Sequence, residues 1–334
     1  MKKFGILVPV VTPCDSQGQV DTHGLISVCN EMTGLGCKGI FALGSTGRGP
    51  WFGREDRIKI CRAAVSAKKE DTTIFAGVMA SGLNDMLENA KAMADAGADI
   101  AVMTAPGYFD YSQEEIKNIF LRFIDQSPLP VLVYDIPDFT GVKLDEGLIS
   151  DLVQHENVVG IKDSSGDRER FLSLLDHFKA RDDLYVFQGK EVLLGESLLS
   201  GASGFVVSLI QIDPLPFVRL WEYAQAGNQK KVSEIQAYIT RLQDCVTECM
   251  SRRPQTSTLF RLLGLALKSR GICENISMPH EGELPGGLRI TPSNVWRSCR
   301  NPTKFYKERR SHGFNNNERA SGYRSEGKIR GRCL

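Results

Sequence analysis

The sequence lacks any apolar run approaching 18 residues, so no stretch of it has the length of a hydrophobic membrane helix. Histidine is scarce. The five residues at 23, 155, 177, 280 and 312 form no H-x-x-H or H-E-x-x-H pattern, which leaves histidine-based zinc chemistry without a ligand set. Net charge is nearly absent: 41 Lys+Arg against 40 Asp+Glu give +1, so there is no overall field for nucleic acid or an anionic membrane. Disulfide spacing is missing too. Nine cysteines are scattered at 14, 29, 37, 61, 245, 249, 273, 299 and 333, an odd count that reads as free thiols in a reducing, cytoplasmic setting. Cys245 and Cys249 stand four apart on a helical stretch, but no nearby His or Cys completes a metal site. No Walker loop or dinucleotide-binding glycine turn is present, and the first strand runs into Val11-Thr12-Pro13-Cys14-Asp15 instead. The opening residues 1–9 are too short, contain Pro9 and lack a small-residue cleavage site, so they read as a strand rather than a signal peptide.

What is present is ordinary globular composition over 334 residues, 42% hydrophobic and 24% charged, enough for a large core. The charge is uneven. Residues 289–334 carry 12 Lys+Arg and 3 Asp+Glu, a net of +9 against −8 for the residues before them. This segment has little apolar periodicity and no nucleic-acid-binding motif, so 280–334 reads as a basic tail, either disordered or the product of a frame shift, and not as a nucleic-acid arm.

From Gly5 onward, short β-branched runs alternate with amphipathic stretches. The strand candidates are 6–12, 39–43, 73–78, 100–104, 131–135, 158–162, 185–188 and 204–208. They are apolar throughout rather than alternating, as expected of parallel strands covered on both faces. Between them, Ile58, Cys61 and Val65 recur at helical spacing, as do Leu83, Met86, Ala90, Met93 and Ala94 ahead of Gly97 as a C-cap. Ile116, Ile119, Phe120 and Phe123 follow Ser112, an N-cap with Glu115 three residues on. Eight strands with eight crossovers predict a closed (β/α)₈ TIM barrel over 1–226. Further helical stretches at 213–226, 230–250 and 256–270 predict a C-terminal helical extension over 227–279.

In such a barrel the chemistry belongs at the C-terminal strand ends. Strand 6 ends in Lys162, strand 5 in Tyr134 and strand 8 in Ser208; strand 2 runs into Gly44-Ser45-Thr46-Gly47, strand 4 into Tyr108, and strand 7 into Gly189-Lys190-Glu191. An amine in the barrel interior is a nucleophile for a carbonyl, and a phenol beside it can shuttle protons. The alternative at 162 is a lysine paired with Asp163 or an interior carboxylate. At 134 it is a core aromatic, and at 44–47 a plain turn. Exposed N–H groups of that turn suit a small carboxylate. Together the inventory suits Schiff-base chemistry on a 2-oxo acid.

The ordered set G-S-T-G at 44–47, Y-D-I-P with T-G at 134–141, and G-I-K-D-S-S-G-D at 160–167 resembles the dihydrodipicolinate synthase / N-acetylneuraminate lyase family of class I aldolases, over about residues 4–279. The resemblance implies an imine between Lys162 and pyruvate or another 2-oxo acid, with no metal or organic cofactor. It implies proton transfer by Tyr134 with Ser45, and Tyr108 reaching the neighbouring subunit's site in a homotetramer. Ser45, Thr46 and Gly47 would hold the pyruvate carboxylate, with Ser164, Gly189, Glu191, Ser208 and Arg48 around the substrate. Phe139 stands where lysine-pathway synthases carry an arginine, which argues against the distal carboxylate of that reaction. Ser45, Thr140-Gly141-Val142-Lys143 and Glu191 are closer to the sialic acid and 2-keto-3-deoxy sugar acid lyases. Arg48 stands where most members have a glutamate, and it either recognises a second carboxylate or forms a surface ion pair. The expected activity is therefore an aldolase or lyase joining or separating pyruvate and an aldehyde. The alternatives are a 4-hydroxy-tetrahydrodipicolinate synthase, a 2-keto-3-deoxy acid dehydratase, and a non-catalytic 2-oxo-acid-binding paralogue.

Overall fold

In a computed structural model, residues 2–251, 255–276 and 278 are described, without the side chains of 255 and 256. The basic tail expected over 280–334 lies outside these residues. The strands are β1 (Gly5–Pro9), β2 (Gly39–Ala42), β3 (Thr73–Gly77), β4 (Ile100–Thr104), β5 (Val131–Asp135), β6 (Val158–Asp163), β7 (Tyr185–Gln188) and β8 (Gly204–Phe205). They pair in parallel in chain order and close, β1 on β8, into a (β/α)₈ barrel. The helices are α1 (Thr22–Gly34), α2 (Arg54–Ser66), α3 (Leu83–Asp95), α4 (Gln113–Gln126), α5 (Pro137–Thr140), α6 (Glu146–Leu152), α7 (Arg168–Phe178), α8 (Leu194–Leu199), α9 (Pro214–Gln225), α10 (Gln229–Ser251) and α11 (Gln255–Ser269). No described helix is long and apolar enough to cross a membrane.

Local signals place several boundaries. Ser112 and Glu115 form a reciprocal capping box at the start of α4. At the end of α3 the N–H of Gly97 donates to Ala94 O and that of Ala98 to Met93 O, with Gly97 at φ +94°, a Schellman end.

β2, β3 and β6 differ from the expectation by one residue at their ends, and two strands stop well short of it. β1 stops at Pro9 instead of Thr12, because Pro9 has no N–H and the Val11 N–H donates to the buried Gln211 side chain rather than to a strand. The Gln211 amide returns a hydrogen bond to Pro9 O at 2.9 Å. β8 stops at Phe205, and Ser208 instead opens a 3₁₀ turn, Ser208–Gln211, which carries Gln211 to that contact. The buried face of α2 also differs. It is Arg57, Ile60, Cys61 and Ala64 rather than Ile58, Cys61 and Val65, since the Arg57 guanidinium finds carbonyls beneath the helix.

Toward the strand starts the barrel is filled by aromatic rings. Phe4 meets Phe187 and Phe75 edge-on at 5.3 and 5.6 Å. Above them Phe41 stands edge-on to Tyr134 at 6.2 Å. The extension is strapped to the barrel by Arg270, which forks onto Glu31 of α1 at 2.8 and 3.1 Å and donates to Gln211 O and Ile212 O. Cys14, Cys29, Cys37, Cys61 and Cys273 are buried, and burial pushes their thiols up to about 11 or 12.

The glycine two residues before Lys162 is a close-approach position: a Cβ on Gly160 would lie 2.2 Å from Tyr185 O across the β6–β7 pair. Gly160→Ala therefore forces the strands apart. We expect a loss of roughly 2 kcal/mol or more in urea unfolding; an unchanged midpoint would show that the sheet absorbs the methyl.

Candidate active site

The site grows from the β5–β6 register. Tyr134 pairs with Lys162 and Asp135 with Asp163. Side chains alternate along a strand, so the first pair points into the barrel and the second outward toward the helices. Tyr134 and Lys162 are 2% and 3% exposed. The Lys162 Nζ lies over the Tyr134 ring, 3.8 Å from its centroid, and 5.2 Å from that of Phe41. Among the described residues neither Nζ nor the Tyr134 hydroxyl has a hydrogen-bond or ion-pair partner in the protein. The pairing of Lys162 with Asp163, one of the alternatives at this position, is not formed: Asp163 faces the other way.

The outward pair is held by one cation. Arg170 of α7 reaches Asp135 and Asp163 at 2.7 Å each, and all three are buried. The same guanidinium donates to Leu144 O at 2.8 Å, and the Leu144 N–H donates to Asp135. Asp163 also accepts from the Ser165 N–H at 2.7 Å. Burial pushes the Asp135 carboxyl up to about 6, Arg170 draws it down, and Asp163 adds to the rise.

The turn after β2 is tightly wound. Leu43 and Arg48 both have positive φ, at 59° and 55°. A Cβ on Gly49 would sit 1.9 Å from Leu43 O, so only glycine closes the turn. The Gly47 carbonyl is pinned by Thr12 Oγ1 at 2.7 Å. Among the described residues no acceptor meets the N–H groups of Ser45, Thr46 and Gly47 or the two hydroxyls.

A cavity of about 990 Å³ opens at this end of the barrel. Of the expected site residues, Ser45, Arg48, Tyr108 and Tyr134 line it, and Lys162 lies behind the Tyr134 ring. Thr46, Gly47, Ser164, Gly189, Glu191 and Ser208 are not part of the lining. Ser164 and Gly189 pack on each other, where a Cβ on Gly189 would meet Ser164 Oγ at 2.0 Å. The Glu191 carboxylate accepts from Ser208 Oγ at 3.4 Å and the Leu209 N–H at 3.3 Å. Burial pushes its carboxyl upward, while the Leu209 N–H and the Lys190 and Lys162 cations oppose the rise.

Among the lining residues not anticipated from the sequence are Arg57 of α2, and Ser257 and Phe260 of α11. Arg57 was hidden in an apolar helix pattern. Phe260 belongs to the extension and comes over the mouth only through tertiary packing.

The Asp135 carboxyl yields a stability prediction. Its folded value lies above the unfolded one, so the folded chain binds the extra proton between about pH 4 and pH 6. Stability should fall across that window as pH rises, and Asp135→Asn should flatten the fall. Urea midpoints at pH 4, 5, 6 and 7 check this; equal slopes for both proteins would contradict it.

Comparison with known proteins agrees with this architecture. A model of the dihydrodipicolinate synthetase family matches residues 2–271. A 4-hydroxy-tetrahydrodipicolinate synthase from Xylella fastidiosa is 30% identical over 249 residues, 75% of this chain and 81% of its own length. A 2-dehydro-3-deoxy-D-gluconate/2-dehydro-3-deoxy-phosphogluconate aldolase from Picrophilus torridus is 34% identical over 201 residues, 59% of this chain and 73% of its own. A sialic acid aldolase from Ruminococcus gnavus, solved as a catalytic lysine mutant, shares the fold with a TM-score of 0.78 at 18% identity, covering 93% of this chain and 99% of that one. With the family model spanning most of the barrel and its helices, the chain belongs to the dihydrodipicolinate synthetase family, whose members are Schiff-base-forming lyases that use pyruvate.

Proposed function

We propose that the protein is a pyruvate-dependent aldolase or lyase in which Lys162 is the Schiff-base residue. One observation carries this reading: the Lys162 amine is buried, takes no carboxylate partner among the described residues, and lies on the ring of Tyr134. A buried amine without a counter-ion is held for a reagent rather than for an ion pair.

In this scheme the amine attacks the C2 ketone of the oxo acid and water leaves, giving a protonated imine. In the cleavage direction the C4 hydroxyl gives up its proton, the C3–C4 electron pair moves to the imine, and the aldehyde departs. The resulting enamine takes a proton at C3, and water releases pyruvate and the free lysine. Tyr134 is the proton carrier at C4, assisted by Ser45. The open N–H groups of Ser45, Thr46 and Gly47 receive the pyruvate carboxylate. Phe139 is 63% exposed and lines the cavity where a synthase of the lysine pathway would present a cation, which favours an aldolase of sugar-acid type over that reaction. We place the enzyme in the cytosol as a homotetramer in which Tyr108, 77% exposed, reaches the neighbouring site.

Intact-mass spectrometry after incubation with pyruvate and borohydride tests the scheme. The expected result is one reduced pyruvyl group on the wild type and none on Lys162→Ala. Equal labelling of both, or of neither with pyruvate and 2-keto-3-deoxy acids alike, would overturn it. Tyr134→Phe should keep the label but lose turnover by roughly 10²-fold or more, as expected for a lost acid–base group.

A further inference from the structure

The strand registers put Thr104 in one row with Tyr134 and Lys162. Thr104 of β4 pairs with Tyr134, Tyr134 with Lys162, and Lys162 with Phe187 of β7. Paired residues of neighbouring strands share a face, so all four point into the barrel. Ile100 and Val102, at the alternate positions before Thr104, belong to the same interior cluster as Tyr134 and Phe187. Because barrel strands are tilted, such a row climbs from one end of the barrel toward the other. Here it starts at Phe187, packed on Phe4 at 5.3 Å in the aromatic fill, and passes Lys162 behind the Tyr134 ring. It ends at Tyr134 and Thr104, which both line the cavity. Tyr134 therefore stands between Lys162 on one neighbouring strand and Thr104 on the other, with Thr104 on the cavity side.

Thr104 is 7% exposed, and among the described residues its hydroxyl has no hydrogen-bond partner. The hydroxyl is not sealed in the wall either; what exposure it keeps, it keeps on the cavity. Buried hydroxyls are ordinarily matched by a partner. Other threonines nearby follow that rule: Thr12 Oγ1 donates to Gly47 O at 2.7 Å, and Thr140, also in the lining, donates to Val142 O at 2.9 Å. Valine has the same shape and suits a strand as well, so packing does not ask for the hydroxyl at 104.

We propose that Thr104 is a further catalytic residue, whose hydroxyl donates a hydrogen bond to the substrate oxygen on C4, the one that exchanges its proton with Tyr134. The inference rests on the Schiff-base reading. With C2 on Lys162 Nζ, the chain from C2 to C4 runs outward past Tyr134, because Phe4, Phe75 and Phe187 fill the barrel beneath. That direction leads to Thr104. In condensation the enamine C3 attacks the aldehyde carbon, the carbonyl π pair moves onto oxygen, and Tyr134 supplies the proton. The Thr104 donor meets the charge as it forms on that oxygen. In cleavage the same hydrogen bond steadies the C4 alkoxide as its proton leaves. The C4 oxygen is common to every aldehyde, so the role is independent of the acceptor's remaining groups.

Thr104→Val keeps the shape and removes the hydroxyl, and Thr104→Ser keeps the hydroxyl. Both are compared with wild type in two assays on the full chain. Labelling by pyruvate and borohydride, followed by intact mass, reads the imine alone. Condensation of pyruvate with glycolaldehyde, glyceraldehyde and benzaldehyde reads the C4 step. Thr104→Val should be labelled at the wild-type rate with an unchanged KM for pyruvate. Its kcat should fall about tenfold or more with each aldehyde the wild type accepts, and Thr104→Ser should recover most of the loss. Thr104→Val condensing at the wild-type rate, Thr104→Val losing labelling and turnover together, or Thr104→Ser no better than Thr104→Val would overturn the inference and leave the Schiff-base reading standing. So would a labelled wild type that condenses with none of the three aldehydes. An unlabelled wild type is instead the failure of the Schiff-base reading, and the inference falls with it.

Discussion

The buried contact of Arg170 with Asp135 and Asp163 is the constraint on which the site depends. Two carboxylates on adjacent strands are drawn to one guanidinium on the helix outside them. That contact fixes the outward faces of β5 and β6, and alternation then fixes the inward ones. Tyr134 and Lys162 meet in the barrel because their neighbours meet behind it. A slip of one residue would bury two acids in the barrel and turn the amine to the helices. Removing one partner from such a buried group typically costs 3–5 kcal/mol, roughly, because it leaves charge unpaired. Specificity of register is the gain, and it is what the proposed covalent role of Lys162 needs.

The same economy of geometry divides the mouth of the barrel. The end with Lys162 and Tyr134 is built by strands β5 and β6, and the glycine-rich turn after β2 presents N–H groups that meet no acceptor among the described residues. The rest of the cavity wall comes from other elements, among them the helix α2 with Arg57 and α11 with Phe260. Because Arg270 ties the end of α11 to α1 and to the 3₁₀ turn after β8, the extension is part of the site and not an appendage.

Most of the barrel was legible in the sequence because its signals are local. Apolar runs of strand length, the Ser112–Glu115 capping box and Gly97 each act within a few residues. The meeting of Lys162 and Tyr134 was legible for the same reason: each stands one residue from the C-terminal end of its strand. What escaped is long-range. Ser208 reads as a strand end, yet the strand stops at Phe205 because Gln211, further on, must reach Pro9 and Val11. Arg57 carries no signal in the sequence, on a helix whose apolar face reads as Ile58, Cys61 and Val65. The carbonyls of Phe52 and Met79 draw it inward, and the helix face rotates with it. Nothing in the residues around Phe260 announces that Arg48, more than two hundred residues earlier, will stack on it.

The central claim is that Lys162, fixed against Tyr134 by the strand register, bonds covalently to the oxo acid while the turn at 44–47 holds its carboxylate. A crystal structure of the protein reduced with borohydride in the presence of pyruvate tests it most directly. The account predicts continuous density from Lys162 Nζ to C2 of the pyruvyl group, its carboxylate on the N–H groups of Ser45 and Thr46, and Arg170 still bridging Asp135 and Asp163. Density on a different lysine, or a carboxylate bound by Arg48 or Arg57 with the turn left empty, would contradict it.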